Sequence, residues 1–169
     1  ASSDKYPTKS YTNKEAFLGK IISLISCLID SSDIDSVAGI GISSPGPLDV
    51  ENGIILDSPN IKALQNFPLK NMIEDRFNCV VRIQNDANLF AYGESYVNDQ
   101  GEMIGVTLGT GLGVSFIHNY KIFLGSNKMA CEYGLSPIES NGTTWEDVLA
   151  IRWFNQISAD RLGKVMTPK

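Results

Sequence analysis

The stretch from Val80 to Asn88 constrains the fold of this chain more than any other. Residues 80–83, three of which are β-branched, predict a strand that ends at Asn85, and a helical pattern follows over residues 87–97. A carboxylate at such a junction has free backbone amides and the positive end of the helix dipole beside it. Asp86 stands at this position and is a candidate proton acceptor. An ordinary helix N-cap is the simpler alternative for the same residue.

Composition and charge exclude several classes of protein. The 169 residues, 43% hydrophobic and 20% charged, suffice for one well-buried domain or two small ones. The net charge of -5 and the scattered basic residues argue against a nucleic-acid surface. No apolar run reaches the ~18 residues of a bilayer span, so no membrane partner is expected.

The cysteines predict neither a disulfide framework nor a zinc knuckle. Cys27, Cys79 and Cys131 are odd in number and far apart, with no Cys-x-x-Cys pair. We expect all three to be reduced, buried packing residues in a cytoplasmic protein.

Helices and strands alternate in the first hundred residues. A capping box of Thr12 and Glu15 predicts a helix that runs to about Ile29. The uninterrupted apolar run at 37–42 predicts a central strand buried on both faces. Two more elements are expected in this half: a short strand at 53–56, and a helix that has Pro68 at its first position and runs to about residue 77.

The polar turn at 98–101 is the predicted boundary between two domains, 1–99 and 100–169. Three further features follow it: a strand at 103–108, a hairpin of strands at 114–117 and 122–124, and a helix from Thr143 to about Asp160. This order predicts two α/β layers that meet at a cleft. Ligands of such folds bind at the carboxyl ends of the strands.

Three glycines alternate in Gly109-Thr110-Gly111-Leu112-Gly113, between two predicted strands. Amides without side chains beside them can approach a phosphate, and Thr110 adds a hydroxyl group. The spacing matches neither a dinucleotide-binding fingerprint nor a Walker A loop. A tight hairpin turn explains the same glycines, so both interpretations stay open.

Three polar residues are weaker candidates for ligand contacts. Asn60 follows a proline, so it is either part of a turn or a ligand contact. Glu132 lies in a mostly uncharged segment, where it is either solvated or placed to accept sugar hydroxyls. Glu146 lies three residues after Thr143, which also suits the second half of a capping box.

The order of these motifs resembles one family. Gly-x-Gly-x-x-x-Pro-Gly-Pro-x-Asp, Ser-Pro-Asn, Asn-Asp-Ala-Asn, Thr-Leu-Gly-Thr-Gly-Leu-Gly and Glu-Tyr-Gly follow one another over about residues 37–150. In this succession the chain resembles the ROK family of bacterial sugar kinases and sugar-sensing repressors. The resemblance implies an actin-like ATPase (ribonuclease H-like) α/β fold, with two lobes around a cleft for sugar and ATP. Residues 1–99 would be the sugar-side lobe without its first strands, and 100–169 the start of the larger lobe.

The resemblance also implies a role for each matched residue. Asp86 would be the general base that takes the proton of the attacking sugar hydroxyl. The implied sugar contacts are Asn60, Asn85, Glu132, Glu146 and the loop at Gly46. The implied second phosphate loop, which meets ATP, consists of Gly109, Thr110, Gly111 and Gly113, and Mg²⁺ would bridge the phosphates.

The chain departs from the family pattern in four places. The first phosphate loop, Asp-x-Gly-Gly-Thr, is not in the chain, and Leu135 stands where many members have a histidine, so that one sugar contact is lost. Residues 136–142 contain no Cys or His, so we predict no zinc and place the chain in the zinc-free branch. Ser115 follows the second phosphate loop where the family favours glycine. We therefore expect that residues 1–169 alone do not turn over ATP.

Three functions follow from the resemblance. The first is ATP-dependent phosphorylation of a hexose or hexose derivative by a cytoplasmic enzyme, with a homodimer expected from the family. The second, from a different class, is the sugar-sensing domain of a ROK-type transcriptional repressor. The third is a catalytically inactive sugar-binding domain, which Leu135 suggests.

Overall fold

The computed structural model describes Tyr6 and residues 13–32, 36–56 and 64–165. The chain forms two compact units, residues 1–86 and 87–169, and both contain helices and strands. The boundary thus lies at Asp86, whereas the sequence predicts the turn at 98–101. That turn joins a helix to a strand inside the second unit. The assignment of the two sequence domains to lobes of the family fold stays a prediction.

The first unit begins with helix α1, Lys14–Asp30. Its N-cap is Asn13, whose side chain accepts a hydrogen bond from the Ala16 amide at 2.7 Å. The predicted capping box of Thr12 and Glu15 is therefore wrong, because asparagine, a stronger cap than threonine, stands one residue later. Thr12 lies outside the described residues.

Strand β1, Gly39–Ser44, pairs in parallel with β4, Val80–Asn85. The prediction that β1 is buried on both faces is wrong: its odd-numbered residues 39–43 are exposed, and Ile40 and Ile42 are half-buried against the core. Two of the exposed positions are glycines, which carry no side chain to bury. An apolar run can therefore still have a single packing face.

Three short elements complete the first unit. Strands β2, Leu48–Asp49, and β3, Ile54–Ile55, form an antiparallel hairpin. Helix α2, Leu69–Phe77, has Pro68 as its N-cap rather than its first residue, and ends at Asn78 in the left-handed region. The hydrophobic core of this unit consists of Phe17, Leu48, Ile55, Leu64, Phe67, Leu69, Ile73, Val81 and Ile83.

Helix α3, Asp86–Val97, starts at the boundary residue and continues into the second unit. An antiparallel sheet follows, with β5 at Glu102–Leu108, β6 at Leu112–His118 and β7 at Lys121–Ile122. A Cβ at Gly105 would collide with Ala91, so the glycine lets β5 pack closely on α3. The predicted hairpin of β6 and β7 is confirmed, and β5 and β6 form a second hairpin through the glycine loop.

The predicted last helix is broken into two. After a single 3₁₀ turn at Tyr133–Leu135, helix α4 covers Trp145–Leu149 and α5 covers Ile151–Leu162. The break lies at the fully buried Ala150, whose ψ of 166° is extended. The amide of Ile151 donates to the carbonyl of Gly109 at 3.0 Å, so it makes no bond to the preceding turn. A contact distant in sequence has taken the place of a helical hydrogen bond.

All three cysteines are free thiols, but Cys27 is exposed and the other two are half-buried. The prediction that all are buried is therefore wrong, because Cys27 lies on the solvent side of α1. Within the described ranges, none of the helices is long and apolar enough for a membrane span.

Candidate functional site

The carboxyl ends of β1 and β4 meet at one edge of the first unit. Ser44 pairs with Asn85 in the parallel register, and β1 is followed by a loop while β4 passes directly into a helix. A Cβ at Gly46 would lie 3.3 Å from Nδ2 of Asn85, so the glycine allows its loop to approach that amide. The peptide bond from Gly46 to Pro47 is cis. The structure therefore brings together two of the predicted sugar contacts, Gly46 and Asn85.

Asp86 follows directly at the same edge. It is exposed and is the first residue of α3, so the helix begins at Asp86 rather than after it. An exposed carboxylate here is able to accept a proton or a hydrogen bond from a hydroxyl group.

Asn88 has a structural partner that the sequence did not reveal. The hydroxyl of Ser115, which is fully buried, donates to Oδ1 of Asn88 at 2.6 Å. This bond ties β6 to α3 inside the second unit. It also gives a physical role to Ser115, one of the departures from the family pattern. The sequence hinted at a special role for Ser115, because it has a hydroxyl where the family favours glycine, but it did not identify Asn88 as the partner.

The glycine loop, residues 109–113, closes the hairpin of β5 and β6, and the Gly109 amide donates to the Gly111 carbonyl at 2.9 Å. Its glycines differ in their surroundings. A Cβ at Gly111 would collide with the Glu146 carboxylate, and one at Gly113 with Thr107 and Ala87. Packing inside the protein therefore requires a glycine at position 113, whereas the neighbour of Gly111 is the movable end of a long side chain.

Gly109 forms the open side of this loop. Among the described residues, no atom lies within 4 Å of a Cβ placed there, and the neighbouring Thr110 is exposed. The Thr110 hydroxyl is accessible to a phosphate at this side, whereas the Gly109 amide already donates to the Gly111 carbonyl. The hairpin interpretation and the phosphate interpretation are thus compatible.

Glu146 is joined to the glycine loop. Its Oε2 atom accepts a hydrogen bond from the Leu112 amide at 3.1 Å. The capping box of α4 consists of Thr144 and Asp147, so the predicted pair of Thr143 and Glu146 is wrong. The side chain of Glu146 is directed away from its own helix terminus, toward a segment 34 residues earlier.

Glu132 is exposed and immediately precedes the 3₁₀ turn. The residue before it, Cys131, has a φ of +69°, and burial raises the pKa of its thiol. Gly134 is buried, and a Cβ there would collide with the carbonyl of Leu112. Leu135, at the position of the family histidine, is 64% exposed. This turn therefore packs on the glycine loop and leaves Glu132 and Leu135 accessible.

Hydrogen bonds to neighbouring residues of the chain hold the segment at 136–142 in place. Pro137 and Thr144 form a β-bridge, the Ile138 amide donates to Thr143, and the Asn141 side chain accepts from Thr143 at 2.7 Å. In the described part of the chain, no group of three or more His, Cys, Asp or Glu side chains could hold a metal ion. The predicted contact Asn60 lies outside the described residues.

Comparison with known proteins gives a consistent result. The sequence model of the ROK family matches residues 2–145. The chain is 38% identical to the xylose repressor of Caldicellulosiruptor bescii over 105 residues, which is 60% of this chain and 26% of the repressor. It is 33% identical to the glucokinase of Thermotoga maritima over 118 residues, 68% of this chain and 37% of that enzyme.

The fold is similar to that of a ROK family glucokinase from Streptomyces griseus, solved in complex with glucose and AMPPNP. The TM-score is 0.73 with 27% sequence identity, and the alignment covers 91% of this chain and 52% of the glucokinase. The chain thus spans about half of that solved structure and between a quarter and two fifths of the two sequence relatives.

Proposed function

The chain belongs to the ROK family, and we propose that its complete protein transfers a phosphoryl group from ATP to a hydroxyl of a hexose or hexose derivative. Its fold is the mixed α/β, actin-like ATPase fold of ROK sugar kinases, incomplete relative to their solved chains. Sugar phosphorylation is the activity named for the glucokinase relatives.

The edge formed by Gly46, Asn85 and Asp86 is the observation that carries the proposal. Phosphoryl transfer requires that the attacking hydroxyl be positioned and that a base accept its proton. An exposed carboxylate at the start of α3, next to an amide side chain and a close glycine turn, provides both functions. We assign the role of general base to Asp86 and a hydroxyl contact to Asn85.

The glycine loop provides the nucleotide side of the proposal. Gly109 and Thr110 would contact a phosphate of ATP, while Gly111 and Gly113 maintain the shape of the loop. Mg²⁺ would arrive with the nucleotide and neutralise charge on the phosphates. No zinc is part of this proposal.

The other proposed sugar contacts are Asn60, Glu132, Glu146 and the loop at Gly46. A cytoplasmic location and a homodimer remain predictions from the family resemblance.

A sensor is the second candidate. The xylose repressor of C. bescii is a relative at 38% identity, and the exposed Leu135 replaces a polar family residue. In that case the same edge would bind a sugar without phosphorylating it.

The experiment that tests the proposal is an ADP-release assay of the complete protein with a panel of hexoses and β-glucosides. We expect turnover with at least one sugar, and a loss of about 10²–10⁴-fold in kcat for Asp86→Asn, as is typical for removal of a general base. The matched control is Asp75→Asn, which neutralises an exposed aspartate of α2 and should leave kcat unchanged.

Two results would decide against this proposal. Full activity of Asp86→Asn would remove Asp86 from the chemistry. Saturable binding of a sugar without any ADP release would indicate the sensor instead.

A further inference from the structure

The segment around Glu132 is attached to β6 on both sides of this residue. Before Glu132, the thiol of Cys131 receives a hydrogen bond from the backbone amide of Phe116. After it, Gly134 packs so closely against the carbonyl of Leu112 that no Cβ would fit between them. Phe116 and Leu112 both belong to β6. The position of Glu132 thus depends on a strand of the sheet rather than on a free loop.

Cys131 has a backbone conformation that few residue types adopt. Its φ of +69° lies in the left-handed region, where most side chains come too close to their own backbone. The half-buried thiol and its hydrogen bond from Phe116 hold the residue in this conformation. Such conformations persist only where the surrounding structure maintains them, and they are frequent at ligand sites.

The carbonyl of Cys131 fixes the residue that follows. It accepts a hydrogen bond from the Tyr133 amide at 2.7 Å, and Glu132 between them has a φ of -71° and a ψ of 45°. This three-residue ring is an inverse γ-turn with Glu132 at its centre. Because the turn starts at Cys131, the left-handed φ of that residue sets the direction in which the Glu132 side chain leaves the backbone.

We propose that Cys131 is a positioning residue for sugar binding, whose left-handed backbone directs the carboxylate of Glu132 toward the hydroxyls of the sugar. This inference rests on the proposed function, in which Glu132 is a sugar contact. It adds a residue that acts on the sugar only through its neighbour. It also means that position 131 requires a backbone conformation rather than a particular side chain.

The test measures the Kd for glucose and for the other hexoses of the panel by calorimetry with the complete protein. Cys131→Val should raise the Kd of the sugar that binds best about tenfold or more, because a β-branched side chain does not fit the left-handed region and a hydrogen bond to a charged group would be lost. Cys131→Gly should stay within about threefold of the wild type, because glycine adopts this φ without strain. Losses of equal size in both variants would assign the effect to the thiol and overturn the inference.

Asn119→Val is the matched control for backbone strain. Asn119 also has a left-handed φ, of +50°, but it lies in the turn between β6 and β7. Urea unfolding should show that this variant is destabilised in the same way as Cys131→Val, while its sugar Kd stays within about twofold of the wild type. An equal rise in Kd for the two variants would show that loosening of the second unit weakens binding, and would reject the positioning role.

A double-mutant cycle determines whether Cys131 acts through Glu132. Glu132→Ala alone should raise the sugar Kd about tenfold or more. In this background Cys131→Val should add less than about twofold, because the carboxylate that it would misplace is already absent. Effects that multiply would mean that the two residues act independently, which contradicts the inference.

Other outcomes separate this inference from the proposed kinase activity. A sugar Kd that Cys131→Val leaves unchanged overturns the positioning role but not the kinase, which the ADP-release assay tests separately. Kd values as expected, in a wild-type protein that binds sugar without releasing ADP, support the positioning role and reject the kinase. A wild-type protein that binds no sugar of the panel rejects both.

Discussion

At the scale of single residues, the glycines of one loop serve different purposes. In the sequence, Gly109, Gly111 and Gly113 alternate in one motif, and each is expected to let a phosphate approach the backbone. The structure separates them, because Gly109 faces open space while the other two are pressed against neighbouring side chains. A glycine in a binding motif can thus be required by packing alone.

This difference predicts that alanine substitutions at Gly113 and at Gly109 change the free energy of unfolding by different amounts. Gly113→Ala should lower the free energy of unfolding by about 1–3 kcal/mol, because its methyl group would meet Thr107 and Ala87, neither of which has a flexible end to move aside. Urea unfolding of the complete protein measures this value. Gly109→Ala is the control, and we expect its stability to stay within about 0.5 kcal/mol of wild type. Equal stabilities for the two variants would contradict the packing role of Gly113.

At the scale of elements, the hairpin of β2 and β3 is stabilised by hydrogen bonds within its own turn. Asp49 accepts a hydrogen bond from the Asn52 amide at 3.0 Å and another from the Asn52 side chain at 2.7 Å. The bond from the Asn52 side chain, followed by that from its amide, holds the pKa of Asp49 below its usual value of 3.8. The turn therefore favours the ionised carboxylate.

The lowered pKa makes part of the stability depend on pH. Because the folded protein binds the Asp49 proton less tightly than the unfolded chain, the contribution is fully present above about pH 4 and is lost as the pH falls through the folded pKa. Asp49→Asn should therefore be less stable than wild type near neutral pH, and this difference should shrink below about pH 4. Urea midpoints across this range provide the measurement.

Asn52→Ala should reduce the same pH dependence, since it removes the first cause of the lowered pKa. A difference between wild type and Asp49→Asn that does not change with pH would exclude this role of the carboxylate.

At the scale of the whole molecule, residues 1–169 correspond to about half of the solved glucokinase that binds glucose and AMPPNP. Catalysis of phosphoryl transfer depends on several groups placed together around the nucleotide. We therefore expect residues 1–169 alone to release ADP at least about a hundredfold more slowly than the complete protein. Circular dichroism of the same sample verifies that it is folded. Comparable rates would show that this part of the chain contains every group that catalysis needs.

The sequence by itself determined the types of most elements and the family. The helical pattern at 87–97, the proline at position 68 and the turns between strands predicted α3, α2 and the three-stranded sheet, because such signals are local to each element. The order of short motifs indicated the ROK family, which the family match over residues 2–145 confirms. It also placed Gly46, Asn85 and Asp86 at strand ends, where parallel strands bring their side chains to one edge.

Only the tertiary structure decided which distant residues meet. The bond from Leu112 to Glu146 joins positions 34 residues apart, and the bond from Ile151 to Gly109 breaks a helix that local propensity favours. The buried pair of Ser115 and Asn88 likewise depends on how β6 packs on α3. Local patterns describe interactions within a few residues, whereas these partners are selected by the packing of whole elements, and so the sequence could not reveal them.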